Sequence, residues 1–390
     1  MKRIFFTIGF SAFVVFCTAC YGVEENPVPG AYRIDQYIHL IDGKSVAVVA
    51  NQTSMVGKKH LVDTLLSLGI KVNAIFAPEH GFRDLADAGD QIRDGKDIET
   101  GVRIISLYGG HLKPTPGDLK GIDVVMFDIQ DVGVRFYTYI STLHYVLEAC
   151  AENNVECIVL DRPNPNGFYF DGNVADTVYR SFVGIDPVPV VHGMTAGEYA
   201  GMINGEGWLK NGVRCKLTVI KCSYYTHKTF YEPPVKPSPN LPNLNSIYLY
   251  PSICFFEGTN ISLGRGTPFP FQVYGSPKLP DTGFSFTPES VPGAKNPPHL
   301  GEKCYGVDLR NAIKGKIVPS PKVNLEWIID AYNRYPEKDE FFTSYFDVLA
   351  SGPSLREQIQ RGMSAEEIRA TWKDELERFG KIRQKYLLYE

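Results

Sequence analysis

The sequence predicts a doubly wound α/β fold with a mostly parallel sheet, followed by a smaller C-terminal domain, and three observations carry that reading. Short apolar runs alternate with helical patterns through the first two thirds of the 390 residues, the pattern of a sheet covered by helices on both faces. Polar residues cluster immediately after each apolar run, where open α/β sheets hold their ligands. Pro233, Pro234, Pro237, Pro239 and Pro242 then crowd one stretch, a rigid extended crossing. Because the chain exceeds the usual single-domain length, that crossing is expected to divide a catalytic domain at 21–240 from an auxiliary domain at 241–390.

The elements follow in order. Lys2 and Arg3 precede an apolar run from Ile4 to Phe16 and a small-residue stretch ending at Cys20. This reads as a signal peptide over residues 1–20, too short for a membrane span. Cys17-Thr18-Ala19-Cys20 resembles a lipoprotein processing site, so the protein is expected to be exported, either free in the periplasm or anchored to the membrane through Cys20. Strands are expected at Ser45 to Ala50, Val72 to Phe76, Arg103 to Leu107, Val124 to Phe127 and Val155 to Leu160. Between them, Lys59 to Leu68 and Tyr139 to Asn153 read as helices, the second with Leu143, Val146, Leu147 and Cys150 on one face. Thr195 and Glu198 fit a capping box opening another helix, and Val213 to Val219 alternates like an outer strand. Gly- and Pro-rich loops are expected from Gly258 to Pro298. A last helix, capped by Ser364 and Glu367, places Ile368, Trp372, Leu376, Phe379 and Ile382 on one face.

Composition removes several functions. A formal charge of −4 supplies no broad basic field, so no nucleic-acid partner is expected. The six cysteines beyond the leader form no C-x-x-C pair with a matching His, which argues against structural zinc and for buried free thiols. Neither G-x-S-x-G nor H-E-x-x-H occurs, and the glycine loops lack both the P-loop ending and G-x-G-x-x-G. Neither a cofactor nor a metal is expected.

What remains is chemistry at the strand ends. Asn51, Gln52 and Thr53 follow the first strand, Glu79 and His80 the second, and Tyr108 the third. Asp128, Gln130, Asp131 and Arg135 follow the fourth, with Asp161, Arg162 and Asn164 after the fifth. Parallel strands would bring these groups to one edge, with Phe82, Tyr108, Tyr137 and Tyr139 as aromatic walls. Carboxylates and amides bond sugar hydroxyls and aromatic faces cover sugar rings, so the constellation suits carbohydrate. Glu79 is read as catalytic in preference to a helix cap or an Arg83 partner, because a carboxyl at a strand mouth beside apolar residues can have its pKa raised. Asp161-Arg162 is either an ion pair locking a proline-flanked turn or a grip on a substrate carboxylate. His192 contacts a ligand or fills the entry to the capped helix. Glu257, Asn260 and Arg265 lie on loops whose glycines permit close backbone approach.

Several ordered motifs resemble one family. They are Pro78-Glu79-His80-Gly81-Phe82-Arg83, Phe127-Asp128-Ile129-Gln130-Asp131-Val132-Gly133, Arg135 with Tyr137-Thr138-Tyr139, and Asp161-Arg162-Pro163-Asn164-Pro165. His192-Gly193-Met194-Thr195, Pro237-Ser238-Pro239-Asn240, Glu257-Gly258-Thr259-Asn260 and Gly264-Arg265-Gly266-Thr267 follow. Together they are similar to the NamZ-type exo-β-N-acetylmuramidases over nearly the whole mature chain. Asp90 and Ser276 stand where that family is expected to carry Glu and Ala. The resemblance implies a Rossmann-like domain with a smaller α+β auxiliary domain, and release of N-acetylmuramic acid from non-reducing ends of peptidoglycan fragments. It implies Glu79 as the main catalytic carboxyl. Glycoside cleavage also needs a partner that stabilises or captures the oxocarbenium-like centre. Asp128 or Asp131 is a candidate, as is the sugar's acetamido group oriented by Tyr137. Arg135, Arg162 or Arg265 would grip the lactyl carboxylate. The catalytic candidates are therefore Glu79, Asp128 and Tyr137. The substrate-binding candidates are Asn51, His80, Asp131, Arg135, Arg162, His192, Glu257, Asn260 and Arg265. Two other classes stay open, a non-catalytic surface glycan-binding lipoprotein and a metal-dependent hydrolase of another substrate.

Overall fold

The structure, a computed structural model, describes residues 26–83, 94–313 and 320–390. The expected signal peptide, the Cys20 anchor and Asp90 lie outside the described residues. The central sheet is built from β1 Ser45–Ala50, β2 Lys71–Ala77, β3 Gly95–Lys96, β4 Arg103–Ser106, β5 Val124–Asp128, β6 Glu156–Leu160 and β7 Leu217–Ile220. Across the sheet the order is β7-β6-β5-β1-β2-β4-β3. All neighbours pair parallel except the edge strand β3, which runs antiparallel to β4. A parallel strand covered on both faces reads as one continuous apolar run, since alternate side chains enter different cores. Strand β1 shows this: Val46, Val48 and Ala50 pack with Leu61, Val62 and Leu65 on one face, while Ala47 and Val49 join the core of Leu143, Val146 and Leu147 on the other.

The expected helix at Tyr139 to Asn153 is Tyr139–Glu152, and Leu143, Val146, Leu147 and Cys150 are fully buried. The capping box of Thr195 and Glu198 forms as expected and opens Ala196–Gly205. Three expectations need correction. The helix at Lys59 to Leu68 starts only at Leu61, because Lys59–His60 instead closes a short hairpin with Met55–Val56. The 258–298 loops hold two strands, β8 Val273–Ser276 and β9 Ser285–Phe286, which flank β10 Cys304–Asp308 in an antiparallel sheet of order β8-β10-β9. The last helix is divided into Ala365–Ala370 and Lys373–Gln384, although Ile368, Trp372 and Phe379 still face the core.

The second part of the chain therefore adds a small antiparallel sheet and helices to the α/β layer. One buried core runs from Ala47 in β1 to Phe379 in the last helix, crossing the proline-rich stretch. All six cysteines of the described residues are free and buried. Loop packing after β5 is tight enough to demand glycine. Gly133 has φ 77°, and a Cβ there would lie 2.3 Å from Asn164 Nδ2.

Candidate active site

Strand β2 ends at Ala77, and Pro78 to Gly81 turn back with Gly81 N–H donating to Pro78 O at 3.1 Å. Within that turn His80 has φ 70°, a conformation that costs a non-glycine residue energy and that concentrates at functional sites. The turn delivers Glu79 to the mouth of the sheet. There Thr138, the residue before helix Tyr139–Glu152, donates its hydroxyl to Glu79 Oε2 at 2.8 Å. Arg83 does not pair with Glu79. It bonds Asp63 at 2.6 Å and Asp97 at 2.9 Å.

Glu79 opens onto a cavity of about 490 Å3. Its buried inner wall is apolar and aromatic, formed by Phe136, Tyr137, Leu241, Tyr250, Phe271 and Leu349. Tyr137 and Tyr139 meet edge to face with centroids 4.8 Å apart. The Tyr137 hydroxyl, buried in that wall, has no hydrogen-bond partner among the described residues. Glu257 and Arg265 enter from the second part of the chain, paired through Arg265 Nε to Glu257 Oε1 at 3.0 Å. The guanidinium also lies 4.9 Å from the Phe271 ring centroid. Burial works against the charge on Arg265, but the Glu257 carboxylate outweighs it and holds its pKa above the ordinary value. Tyr108 and Tyr345 line the outer part, and both hydroxyls are pushed up, chiefly by burial and then by nearby carboxylates, Glu79 among them.

Of the sequence candidates, the structure brings Glu79, His80, Tyr137, Glu257 and Arg265 to this cavity, with Tyr108 and Tyr139 as the expected aromatic walls. The others lie elsewhere, each for a visible reason. Asp128 and Arg162, expected as catalytic partner and carboxylate grip, form a bidentate ion pair at 2.6 and 2.9 Å, almost wholly buried beside the Met55 carbonyl. Arg135, another expected grip, is 1% exposed and donates to the carbonyls of Asn173, Val188 and Leu349. Asn51 turns its amide oxygen onto the Thr53 backbone and hydroxyl. Asp131 accepts from Gly133 N at 2.6 Å and lies 3.7 Å from His192. Burial pushes the Asp131 carboxyl up to about 7 and His192 down to about 3. Asn260 donates its side chain to the Glu340 carbonyl. Phe82, expected as an aromatic wall, packs against His60 at 4.6 Å.

Several contributors were absent from the expectation. Thr138 sits inside the Tyr137-Thr138-Tyr139 motif, so its signal was present but unread. Tyr250, Phe271 and Tyr345 belong to the region expected to be auxiliary, where no local pattern marks a cavity wall. Among the described residues, no group of three or more His, Cys, Asp or Glu side chains is placed to hold a metal ion.

Two family models match, described as exo-β-N-acetylmuramidase NamZ, N-terminal, over residues 46–245, and its C-terminal counterpart over 248–389. The chain belongs to the NamZ family. It is 40% identical over 375 residues to the peptidoglycan β-N-acetylmuramidase NamZ of Bacillus subtilis (strain 168), covering 91% of this chain and 89% of that one. It is also similar to two crystal structures of DUF1343 family proteins from Bacteroides fragilis NCTC 9343. The first has 48% identity and a TM-score of 0.87 over 94% of this chain and 99% of that one. The second has 30% identity and a TM-score of 0.80 over 93% and 99%. In this member of the NamZ family the cavity draws Glu79, Tyr108 and Tyr137 from the first matched region and Tyr250, Glu257, Arg265 and Tyr345 from the second.

Proposed function

We propose that this protein is an exo-acting glycoside hydrolase that releases N-acetylmuramic acid from the non-reducing ends of peptidoglycan fragments, with Glu79 as general acid and then general base. One observation carries the reading: Glu79 shares a cavity of about 490 Å3 with Arg265, the one cation among its described lining residues. A cavity of that size suits one sugar and its substituents. A carboxyl and a guanidinium lining one cavity match the two demands of a muramyl glycoside, a proton for the leaving oxygen and a partner for the lactyl carboxylate. The Bacillus subtilis relative is named a peptidoglycan β-N-acetylmuramidase, which supports the same chemistry.

In the proposed reaction the acetamido oxygen of the bound sugar attacks C1 as the C1–O bond breaks and Glu79 protonates the departing oxygen. Water then opens the cyclic intermediate, giving its proton to the Glu79 carboxylate. Thr138 fixes the Glu79 carboxylate, and the Tyr137 hydroxyl is available to orient the acetamido group. Asp128 has no part in this scheme, since its oxygens are committed to Arg162. We further propose that the protein works outside the cytoplasm, either free in the periplasm or held by lipid on Cys20.

The test is product analysis on two disaccharides that differ only in the lactyl group. Free N-acetylmuramic acid from the muramyl substrate, little cleavage of the other, and a loss of about 10²–10⁴-fold in kcat for Glu79→Gln are expected. Retention of the disaccharide without cleavage would mean a glycan-binding protein, and near-parental turnover by the Glu79→Gln variant would remove Glu79 from the role.

A further inference from the structure

The lining of the cavity changes character from inside to outside. Phe136, Leu241, Phe271 and Leu349 are between 1% and 3% exposed, whereas Tyr345 is 40% exposed and Val348 is 37% exposed. An exposed aromatic ring at a cavity mouth differs from single exposed tyrosines elsewhere on a surface, because it borders a space a ligand can enter. Two further aromatic residues line the same cavity. Tyr108 lies 6.2 Å from Phe182, which stacks on Tyr145 at 6.4 Å with an interplanar angle of 13°.

Glu79 lies between the two zones. It accepts from Thr138 on the inner side, and its charge is felt by both rim hydroxyls, Tyr108 and Tyr345. A general acid must reach the oxygen that leaves. If the inner cavity holds the sugar that is released, whatever is attached to that oxygen is directed outward, past Glu79 and along these aromatic residues. The C–H faces of a pyranose pack on such rings, and the edges stay free for water.

We propose that Tyr345, which lines the same cavity as the Tyr108–Phe182 pair, is the platform for the leaving-group sugar, and so a substrate-binding residue for the second ring of the disaccharide. The proposal rests on the muramidase reading of the inner cavity. The platform is held rigidly for this purpose. Tyr345 stands at the start of helix Ser344–Leu349, whose last carbonyl, Leu349 O, accepts from the buried Arg135 at 3.0 Å. The next carbonyl, Ala350 O, accepts from Asn173 at 2.7 Å. Both ties cross from the first part of the chain, so the α/β layer sets the position of a rim residue contributed by the second.

The experiment compares the parent with Tyr345→Ala and Tyr345→Phe on the muramyl disaccharide, and measures inhibition by free N-acetylmuramic acid, which probes the inner cavity alone. The expected result for Tyr345→Ala is a KM raised about tenfold, with kcat changed less than about threefold, since truncation removes the ring face that the leaving-group sugar would cover. The inhibition constant of the free sugar should stay within about twofold of the parental one, and Tyr345→Phe should restore most of the loss. An unchanged KM for Tyr345→Ala overturns the proposal, as does an equal rise in KM and in the inhibition constant. If the parent neither cleaves the disaccharide nor binds the free sugar, the muramidase reading itself has failed, and the platform with it.

Discussion

Two carboxylate–guanidinium pairs occupy comparable places in the sequence pattern and opposite places in the molecule. Asp128–Arg162 joins the ends of β5 and β6, and its side chains are 0% and 3% exposed. Glu257–Arg265 joins the 3-10 helix Cys254–Gly258 to a following loop in the second part of the chain, and its side chains are 23% and 20% exposed, lining the cavity. The first pair is closed on itself, with both Asp128 oxygens bonded to one guanidinium and a further Arg162 N–H on Met55 O. The second meets on a single oxygen of Glu257, leaving guanidinium edge for a ligand. Identical chemistry is thus sealed from water in one place and reaches a cavity in the other. Burying an ion pair is neutral at best, whereas stranding one member is costly.

That difference can be broken by mutation. Asp128→Ala should cost about 3–5 kcal/mol, because it leaves Arg162 charged, buried and unpaired. Urea unfolding measures it, and a variant with parental stability but no activity would move Asp128 back into the site. Arg265→Ala should change stability by about 1 kcal/mol or less. It should cost binding instead, raising KM on the muramyl disaccharide about tenfold or more, in line with a charged hydrogen-bonded partner worth about 1.5–3 kcal/mol. An equal effect on a disaccharide lacking the lactyl group would deny Arg265 its carboxylate.

A smaller test concerns the buried Asp131–His192 contact, looser than either pair because its members lie 3.7 Å apart. Burial raises Asp131 from 3.8 to about 7, so the folded state holds a proton that the unfolded chain has released. Its contribution to stability is complete below pH 3.8 and is lost as pH rises through 7. His192 has the opposite sign: lowered from 6.5 to about 3, it contributes fully above 6.5 and is lost as pH falls through 3. The difference isolates Asp131. From pH 3.8 to 7 the parent should lose stability relative to Asp131→Asn, read as urea midpoints, and a gap constant with pH would remove the titration.

Much of the fold was legible because its signals are local. The apolar runs at Ser45 to Ala50 and Val124 to Phe127 are strands, and Thr195 with Glu198 caps a helix as spaced. The errors were also local conflicts decided by distant partners. Lys59–His60 pairs with Met55–Val56 rather than starting a helix, and Val273–Ser276 became a strand because Cys304–Asp308 lies beside it. The site divided in the same way. Glu79 was recognisable from its place after an apolar run, but nothing in the residues near Arg135 shows that its guanidinium would find three backbone carbonyls far away in sequence.

The sequence by itself determined the strands, the polar residues at their carboxyl ends and the family, because periodicity and motif order are properties of the chain. Only tertiary structure decided which of those polar groups face a cavity. That depends on packing between residues far apart in the chain: the second part brings Tyr250, Arg265 and Tyr345 to Glu79, while Asp128 and Arg162 are buried against each other beside Met55 and Arg135 is buried against the carbonyls of Asn173, Val188 and Leu349. A charged side chain keeps a role toward ligands only where burial leaves it something other than protein to bond.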